Sequence, residues 1–144
     1  MRQLRHTGIF VSNLEKMKEF YCNTFDMNVA VHDTEVGDYI ANLYGMKETS
    51  IQVELYKLVT EDGCMIELLK IKPYTDKDEH SGQVFNIGCM HIAFTVTDVE
   101  EIYNKLVEKG LRFYSEPLLS RDGMHKVCFC RDLEGNFLEL VQDL

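Results

Sequence analysis

Two histidine–glutamate pairs stand at matched positions in the two halves of this 144-residue chain. The first pair is His6 and Glu67, and the second is His91 and Glu139. Each glutamate lies between apolar residues in a strand-like stretch, where a carboxylate is costly unless it is paired or binds a cation. Two neutral imidazoles and two carboxylates carry two negative charges, which gives a neutral site around a divalent ion, and mixed N/O ligation suits Zn, Ni, Co, Mn or Fe(II). The sequence therefore predicts a metal site made of these four residues.

A structural role is the simpler interpretation of each of these residues taken alone. A single strand histidine is more often a hydrogen-bonded structural residue, and a lone strand glutamate more often faces solvent. The metal interpretation gains its weight from the duplication, because the same two residue types recur at the same two places. We therefore predict the four residues as a set.

The stretch from Cys89 to Asp98 shows how such a ligand is positioned. Apolar residues alternate there with a second set that includes His91 and Ala93, and this period of two is typical of a strand with two different faces. The small Ala93 leaves open space beside the imidazole ring. In the first half, Gly8 follows His6 at the same distance.

The two halves resemble each other in two stretches and in their order of elements, which is strand, helix, strand and a two-strand hairpin. Residues 6–15 parallel residues 91–100, and residues 61–68 parallel residues 133–140. The histidine and the glutamate are 61 residues apart in the first half and 48 in the second, and the 13 extra residues fall within 34–48. Such internal similarity is typical of a fold built from repeated units.

We expect an α+β fold of two βαβββ modules whose strands form a cupped, mostly antiparallel curved sheet. The modules are predicted at 1–72 and 86–144. A polar linker at 73–85, which holds Pro73 and Gly82, is expected to join them. The ligands of both modules are predicted to meet inside the cup.

Hydrophobic periodicity and turn residues predict the individual elements. In the first half these are a strand at 6–11, a helix at 13–24, a strand at 28–33, an irregular stretch at 34–48 with a short helix near 39–44, and a hairpin with strands at 50–58 and 64–71. In the second half they are a strand at 89–96, a helix at 98–109, a strand at 111–115, and a hairpin with strands at 126–131 and 136–142.

Composition and charge exclude several functional classes. A net charge of −9 argues against nucleic acid and anionic membranes as partners, since both repel an acidic surface. No apolar run approaches the roughly 20 residues that a bilayer requires, and the first residues lack the apolar core of a signal peptide. The five cysteines are odd in number and form no Cys-x-x-Cys motif, which indicates a reducing, cytoplasmic setting.

The same residues resemble the vicinal oxygen chelate superfamily, which includes glyoxalase I, methylmalonyl-CoA epimerase, extradiol dioxygenases, and fosfomycin and bleomycin resistance proteins. The resemblance covers essentially the whole chain. Its most specific parts are the His6 strand, the helix end at 19–21, and the stretches 65–68, 90–94 and 131–140. The last of these is similar to the family's Asp-Pro-x-Gly-Asn-x-x-Glu-Leu ending, with Leu133 where proline is usual.

In members of this kind the matched positions are metal ligands, and the complete set of four is most similar to the glyoxalase I (lactoylglutathione lyase) pattern. The resemblance implies a metal-dependent lyase or isomerase that transfers a proton through a metal-stabilised enediolate. The implied substrate is a thiol adduct of a 2-oxoaldehyde such as methylglyoxal. Glu139 is implied as the catalytic base and Glu67 as its partner across the metal. A homodimer is also implied, with the metal site within one chain or shared between two.

Three alternatives stay open at the level of the sequence. A methylmalonyl-CoA epimerase uses the same proton transfer with four ligands. Basic residues are available for the CoA phosphates at Arg112, Arg121 and Lys126, although the acidic net charge disfavours CoA as a ligand. An Fe(II) extradiol dioxygenase uses three protein ligands, so Glu67 counts against it. A non-catalytic protein that binds a small molecule needs no metal. The sequence does not decide the substrate, the thiol or the native metal.

Three aromatic residues are predicted to line a substrate pocket. Among Phe10, Tyr39 and Tyr44, Phe10 is the strongest candidate because it shares a strand face with His6 and Gly8. The remaining histidines are expected to face solvent: His32, His80 and His125. No motif for a nucleophilic serine or cysteine and no glycine-rich phosphate loop is present in the sequence.

Overall fold

The computed structural model describes residues 3–47, 50–73 and 82–144. The chain divides into two compact units, Met1–Lys77 and Asp78–Leu144. Among the described residues, the first unit combines two helices and the second unit one helix with a sheet of four strands, so the fold class is α+β, as predicted. The predicted linker at 73–85 falls largely outside the described ranges, and the predicted module boundaries therefore stay a prediction.

The described part of the first unit contains, in chain order, β1 (Thr7–Phe10), α1 (Leu14–Phe25), β2 (Asn28–Val36), α2 (Asp38–Leu43), β3 (Gln52–Val59) and β4 (Met65–Lys72). The strands lie side by side in the order β1-β4-β3-β2. β1 and β4 are parallel, whereas the other two pairings are antiparallel. The first strand of the unit therefore lies beside its last.

The described part of the second unit contains β5 (His91–Thr95), α3 (Val99–Glu108), β6 (Leu118–Leu119), β7 (His125–Arg131) and β8 (Phe137–Asp143). Its strand order is β5-β8-β7-β6, with β5 and β8 parallel and the other pairings antiparallel. This is the topology of the first unit again. It confirms the predicted repeat and the predominance of antiparallel pairing.

Both long helices have a side-chain cap at the residue where the helix was predicted to begin, Asn13 or Asp98. The Asn13 carboxamide accepts a hydrogen bond from the backbone N–H of Lys16 at 3.1 Å. The Asp98 carboxylate accepts one from the backbone N–H of Glu101 at 2.9 Å. Each cap satisfies an amide that would otherwise lack a partner in the first helical turn. The strand-to-helix junction is thus built in the same way in both units.

The first sheet is covered by different helices on its two faces. α1 buries Met17 and Tyr21 completely against β3 and β4. α2 lies on the other face, where Ile40 and Ala41 join a buried cluster. The strand residues of that cluster are Val53, Leu55 and Leu69. Because side chains alternate along a strand, Glu67 shares the α2 face with Leu69.

The second sheet is covered by a helix on one face. In α3, Val99 and Leu106 are completely buried, and α3 packs against β7 and β8. The strand residues on that face are also buried: Cys128, Cys130, Leu138 and Leu140. In the described part of this unit α3 is the only helix, and it lies on the face opposite to Glu139.

One predicted strand is wrong. Residues 111–115 do not form a strand, since only Phe113 makes an isolated bridge, to Cys130. The edge of the second sheet is instead the two-residue strand β6, which pairs with β7 after Pro117. A strand this short has no period of two to recognise.

The region after α1 also differs from the sequence expectation. Residues 34–36 were expected to be irregular, but they extend β2 and pair in register with residues 52–54 of β3. Pairing with a neighbouring strand decides this extension, which local propensity does not capture. The short helix predicted near 39–44 is confirmed as α2. The strand predicted to begin at 89 begins at His91.

The β7–β8 turn depends on one buried carboxylate. Asp132 is 5% exposed and accepts hydrogen bonds from the backbone N–H groups of Glu134 and Asn136, both at 2.9 Å. The Asn136 carboxamide donates to its second oxygen at 2.8 Å. The turn positions the strand that carries Glu139, so its geometry bears on the site.

We predict that Asp132→Ala lowers the free energy of unfolding by about 2 kcal/mol, because several donors lose a charged acceptor in a buried position. Urea denaturation followed by circular dichroism measures this change. Asp62→Ala, in the exposed turn of the first hairpin, is the matched control and should cost much less. Equal losses in both variants would contradict the special role of Asp132.

Candidate functional site

The first histidine–glutamate pair is assembled by the parallel pairing of β1 and β4. Gly8 is the register partner of Glu67, and His6 precedes β1 directly. This brings His6 Nε2 to 3.1 Å from Glu67 Oε2. The side chains are 26% and 14% exposed, respectively, so both are accessible yet largely enclosed. The predicted first pair is therefore a real contact.

The second pair is assembled in the same way by β5 and β8. Ala93 is the register partner of Glu139, and His91 opens β5. His91 Nε2 lies 3.1 Å from Glu139 Oε2, with side-chain exposures of 42% and 22%. The two units thus present the same pair of side chains with the same separation.

The packing around Gly8 leaves room for a small side chain. A Cβ atom at Gly8 would meet Leu69 Cδ1 at 3.5 Å, which is an ordinary contact. Nothing at this position therefore requires glycine rather than the alanine found at position 93. Gly8 and Ala93 share their small size and their place two residues after a histidine.

The His6 ring has an unsatisfied nitrogen. Its Nε2 faces Glu67, whereas Nδ1 is buried and lacks a hydrogen-bond partner among the described residues. A buried polar atom without a partner is costly, and a bound ligand or an ordered water would remove that cost. His6 Nδ1 is therefore able to take a hydrogen-bond partner from a bound ligand or an ordered water.

Each unit, taken by itself, supplies two of the four predicted donors. In residues 3–47, 50–73 and 82–144, no group of three or more His, Cys, Asp or Glu residues is placed to hold a metal ion. Divalent transition metals in proteins take four or more ligands. Imidazole nitrogen and carboxylate oxygen are chemically suited to such an ion, so each pair fits half of a site.

The residues opposite the two glutamates differ. Across the first hairpin, Lys57 is the register partner of Glu67, and its Nζ lies 3.4 Å from Glu67 Oε1. Across the second hairpin, the register partner of Glu139 is Phe129. The Phe129 ring contacts the His91 ring edge-on, with centroids 5.3 Å apart. One pair therefore has a cation beside it and the other has an aromatic ring.

Lys57 and Phe129 were not singled out by the sequence analysis. The signal that identifies them is the hairpin register. Counting back from the turn at Thr60–Gly63 places Lys57 opposite Glu67, and the turn at Asp132–Gly135 does the same for Phe129. Both residues follow from pairing geometry rather than from a motif.

An aromatic wall flanks the first pair. The rings of Phe10 and Tyr44 meet edge to face with centroids 5.7 Å apart, and both remain accessible. Burial raises the pKa of the Tyr44 phenol, and the negative charge of Glu67 raises it further. The phenol is therefore a hydrogen-bond donor at neutral pH. Tyr39 is 67% exposed.

The other histidines have structural surroundings. His32 lies 3.1 Å from Glu54 and stacks on Tyr56, with ring centroids 4.1 Å apart. His125 precedes the strand predicted at 126–131, but it is the first residue of β7 and lies 3.4 Å from Asp143. Its pairing in the β7–β8 ladder moves it into the strand. His80 lies outside the described residues.

The buried cysteines are poor nucleophiles. Burial raises the pKa of Cys128 to about 11, and the charge of Glu100 adds to the effect. Burial raises the pKa of Cys130 to about 12, with smaller contributions from Cys128 and Asp132. A thiol with such a pKa is protonated at neutral pH, and only the thiolate attacks electrophiles. These residues act as small apolar side chains of the core.

We predict that Cys128 and Cys130 resist alkylation by iodoacetamide at pH 8, whereas the exposed Cys64 reacts. Peptide mass spectrometry of the native protein measures modification at each position. Unfolding in urea should make all of them reactive. Rapid modification of Cys128 or Cys130 in the native protein would contradict their enclosure.

Comparison with known proteins places the chain among glyoxalase-like proteins. The family model described as Glyoxalase/Bleomycin resistance protein/Dioxygenase superfamily matches residues 3–140. A protein from Synechocystis named "Probable lactoylglutathione lyase" is 29% identical over 140 residues, which is 96% of this chain and 94% of the relative.

Solved structures share the fold. A glyoxalase family protein from Bacillus cereus gives a TM-score of 0.85 at 24% identity, covering 100% of this chain and 95% of its own. A fosfomycin resistance protein from Listeria monocytogenes, solved with Mn(II) and a dihydroxypropylphosphonic acid, gives 0.66 at 16% identity, covering 97% and 89%. None of the described helices is long and apolar enough to cross a membrane.

Proposed function

The chain belongs to the glyoxalase/bleomycin resistance protein/dioxygenase superfamily, and on that premise we propose that it is a metal-dependent lyase or isomerase of the lactoylglutathione lyase type. Its proposed ligands are His6, Glu67, His91 and Glu139. The proposed reaction moves a proton between adjacent carbons of a 2-oxoaldehyde–thiol adduct and yields a 2-hydroxyacyl thioester.

The observation that supports this proposal most is the duplicated His–Glu contact. Nε2 of His6 lies 3.1 Å from a Glu67 oxygen, and Nε2 of His91 lies 3.1 Å from a Glu139 oxygen. A single such contact would be an ordinary ion pair. Its repetition on equivalent strands gives two neutral nitrogen donors and two anionic oxygen donors, which balance a divalent ion. We propose Ni, Co, Zn or Mn as that ion.

A divalent ion bound there would supply positive charge for a carbonyl oxygen of the substrate. The chain's own carboxylates supply the proton transfer. We propose that Glu139 takes the proton from the carbon of the thiol adduct and delivers it to the neighbouring carbon. No electron acceptor is needed, because one carbon is oxidised as its neighbour is reduced. A carboxylate suits this task since it both accepts and returns a proton.

The surroundings support a small substrate with an apolar part. Phe10 and Tyr44 offer an accessible aromatic wall on the side of the first pair, and the Tyr44 hydroxyl is protonated at neutral pH. The wall would contact the side chain of the oxoaldehyde or part of the thiol carrier. Tyr44 follows the inserted α2, so this feature belongs to the first unit alone.

The proposal extends to assembly and location. We propose a homodimer, as the family resemblance implies, and a cytoplasmic setting. All five cysteines are free, which suits a reducing compartment. Light scattering at micromolar concentration tests the dimer, and a monomer would contradict it.

The rival reactions predict different observables. An extradiol dioxygenase would consume oxygen with a catechol. An epimerase would exchange the proton next to the thioester of a CoA substrate. A non-catalytic binding protein would bind its ligand equally well after metal removal. The presence of a second glutamate in the set favours proton transfer over the three-ligand oxygenase.

We predict that Glu139→Gln lowers turnover of the methylglyoxal–glutathione adduct by at least about 100-fold, since loss of a positioned base typically costs that much. The assay follows thioester formation in the ultraviolet with added Ni, Co, Mn or Zn. Glu134→Gln, in the turn of the same hairpin, is the matched control and should keep full activity.

Near-normal turnover in Glu139→Gln would remove Glu139 as the base. Absence of turnover in the unaltered protein with every added metal, together with oxygen uptake on catechols, would replace the proposed function by a dioxygenase.

A further inference from the structure

We propose that Lys57 is a positioning residue that makes the two carboxylates unequal. It holds Glu67 in place as a fixed ligand and reduces the attraction of the first pair for a cation. Glu139, which has no such neighbour among the described residues of its own unit, keeps the mobile carboxylate. The inference rests on the proposed function, since it assigns different tasks to two residues of the proposed metal site.

Both oxygens of Glu67 are engaged. Oε2 lies 3.1 Å from His6 Nε2, and Oε1 lies 3.4 Å from Lys57 Nζ. The contact with Lys57 joins register partners on adjacent strands, so the backbone ladder fixes the separation of the two residues. The side chains are only 25% and 14% exposed, which keeps much of the solvent from screening the pair.

In the described part of its own unit, the ion pair of Glu139 involves one of its two oxygens. Its Oε2 lies 3.1 Å from His91 Nε2. Among the described residues of its own unit, no lysine or arginine makes an ion pair with it. Lys126, on the strand opposite, pairs instead with Glu100 on the other face of the sheet. Phe129 occupies the position that Lys57 takes in the first unit.

This asymmetry has a chemical consequence. A carboxylate held on both oxygens cannot rotate without breaking a contact, so Glu67 is suited to remain a ligand throughout a reaction. A carboxylate with one uncommitted oxygen can turn toward a substrate and return, as a base must. The two glutamates stand at equivalent positions in the sequence repeat. The neighbouring Lys57 is the feature that makes the surroundings of Glu67 different from those of Glu139.

The positive charge of Lys57 also opposes the binding of a metal cation by the first pair. An ammonium within several Å of a divalent ion is repelled by it, and partial hydration reduces this repulsion without removing it. We therefore expect Lys57→Gln to bind Mn(II) or Zn(II) roughly three- to tenfold more tightly than the unaltered protein. Lys57→Arg keeps the charge and should restore the original affinity. Isothermal titration calorimetry on the metal-free, full-length chain measures these affinities directly.

Lys72→Gln is the matched control. Lys72 forms a similar ion pair across the same two strands, with its Nζ 3.8 Å from Glu54, but on the opposite face of the sheet. Its substitution removes the same charge from the chain without touching the first pair. The affinity of Lys72→Gln should therefore stay within experimental error of the original.

The outcomes distinguish the proposed role of Lys57 from the proposed metal-dependent function. Tighter binding in Lys57→Gln alone, with restoration in Lys57→Arg, supports the role of Lys57. Equal affinities in Lys57→Gln and Lys72→Gln, with metal still bound, overturn that role and leave the proposed function standing. Weaker binding in Lys57→Gln overturns the proposed repulsion between Lys57 and the metal ion. Failure of all variants and of the unaltered protein to bind any metal overturns both.

Discussion

The parallel pairing of the first and last strands of each unit is the constraint on which the site depends. In the first unit it places Gly8 beside Glu67, and in the second it places Ala93 beside Glu139. A histidine two positions before the small residue is thereby carried to the carboxylate. A slip of one residue in either pairing would turn the glutamate to the opposite face, where apolar side chains pack against a helix.

This constraint explains why a polar pair persists in each sheet. The side chains of β4 that face α1 and those of β8 that face α3 are buried in the cores, and the glutamates alternate with them on the other face of each sheet. Removing a carboxylate from bulk water is unfavourable unless a partner compensates for it. The histidine supplies part of that compensation in both units, and Lys57 supplies more of it in the first. The two units thus share their strand topology and the His–Glu pair, but the residue opposite the glutamate differs between them.

Much of the fold and the residue pairs could be predicted from the sequence. Period-two alternation, the capping residues Asn13 and Asp98, and the turns around Gly63 and Gly135 are local signals, and the structure confirms the elements that they predict. The extension of β2 and the edge strand β6 could not be predicted locally, because pairing with β3 and β7 decides them. The role of Lys57 could not be predicted for a related reason. A lysine in a strand gives no local signal of its role, because that role depends on the residue opposite to it in the neighbouring strand.

The metal content of the purified, untagged protein tests the central claim most directly. Plasma mass spectrometry of the unaltered chain should give about one divalent ion per chain, and His91→Ala and Glu67→Gln should each retain less of it, because each substitution weakens the proposed set of four ligands. Folded variants that keep their metal, or an unaltered protein without metal even after incubation with Ni, Co, Mn and Zn, would contradict the account. The two His–Glu contacts would then be ion pairs of a binding protein.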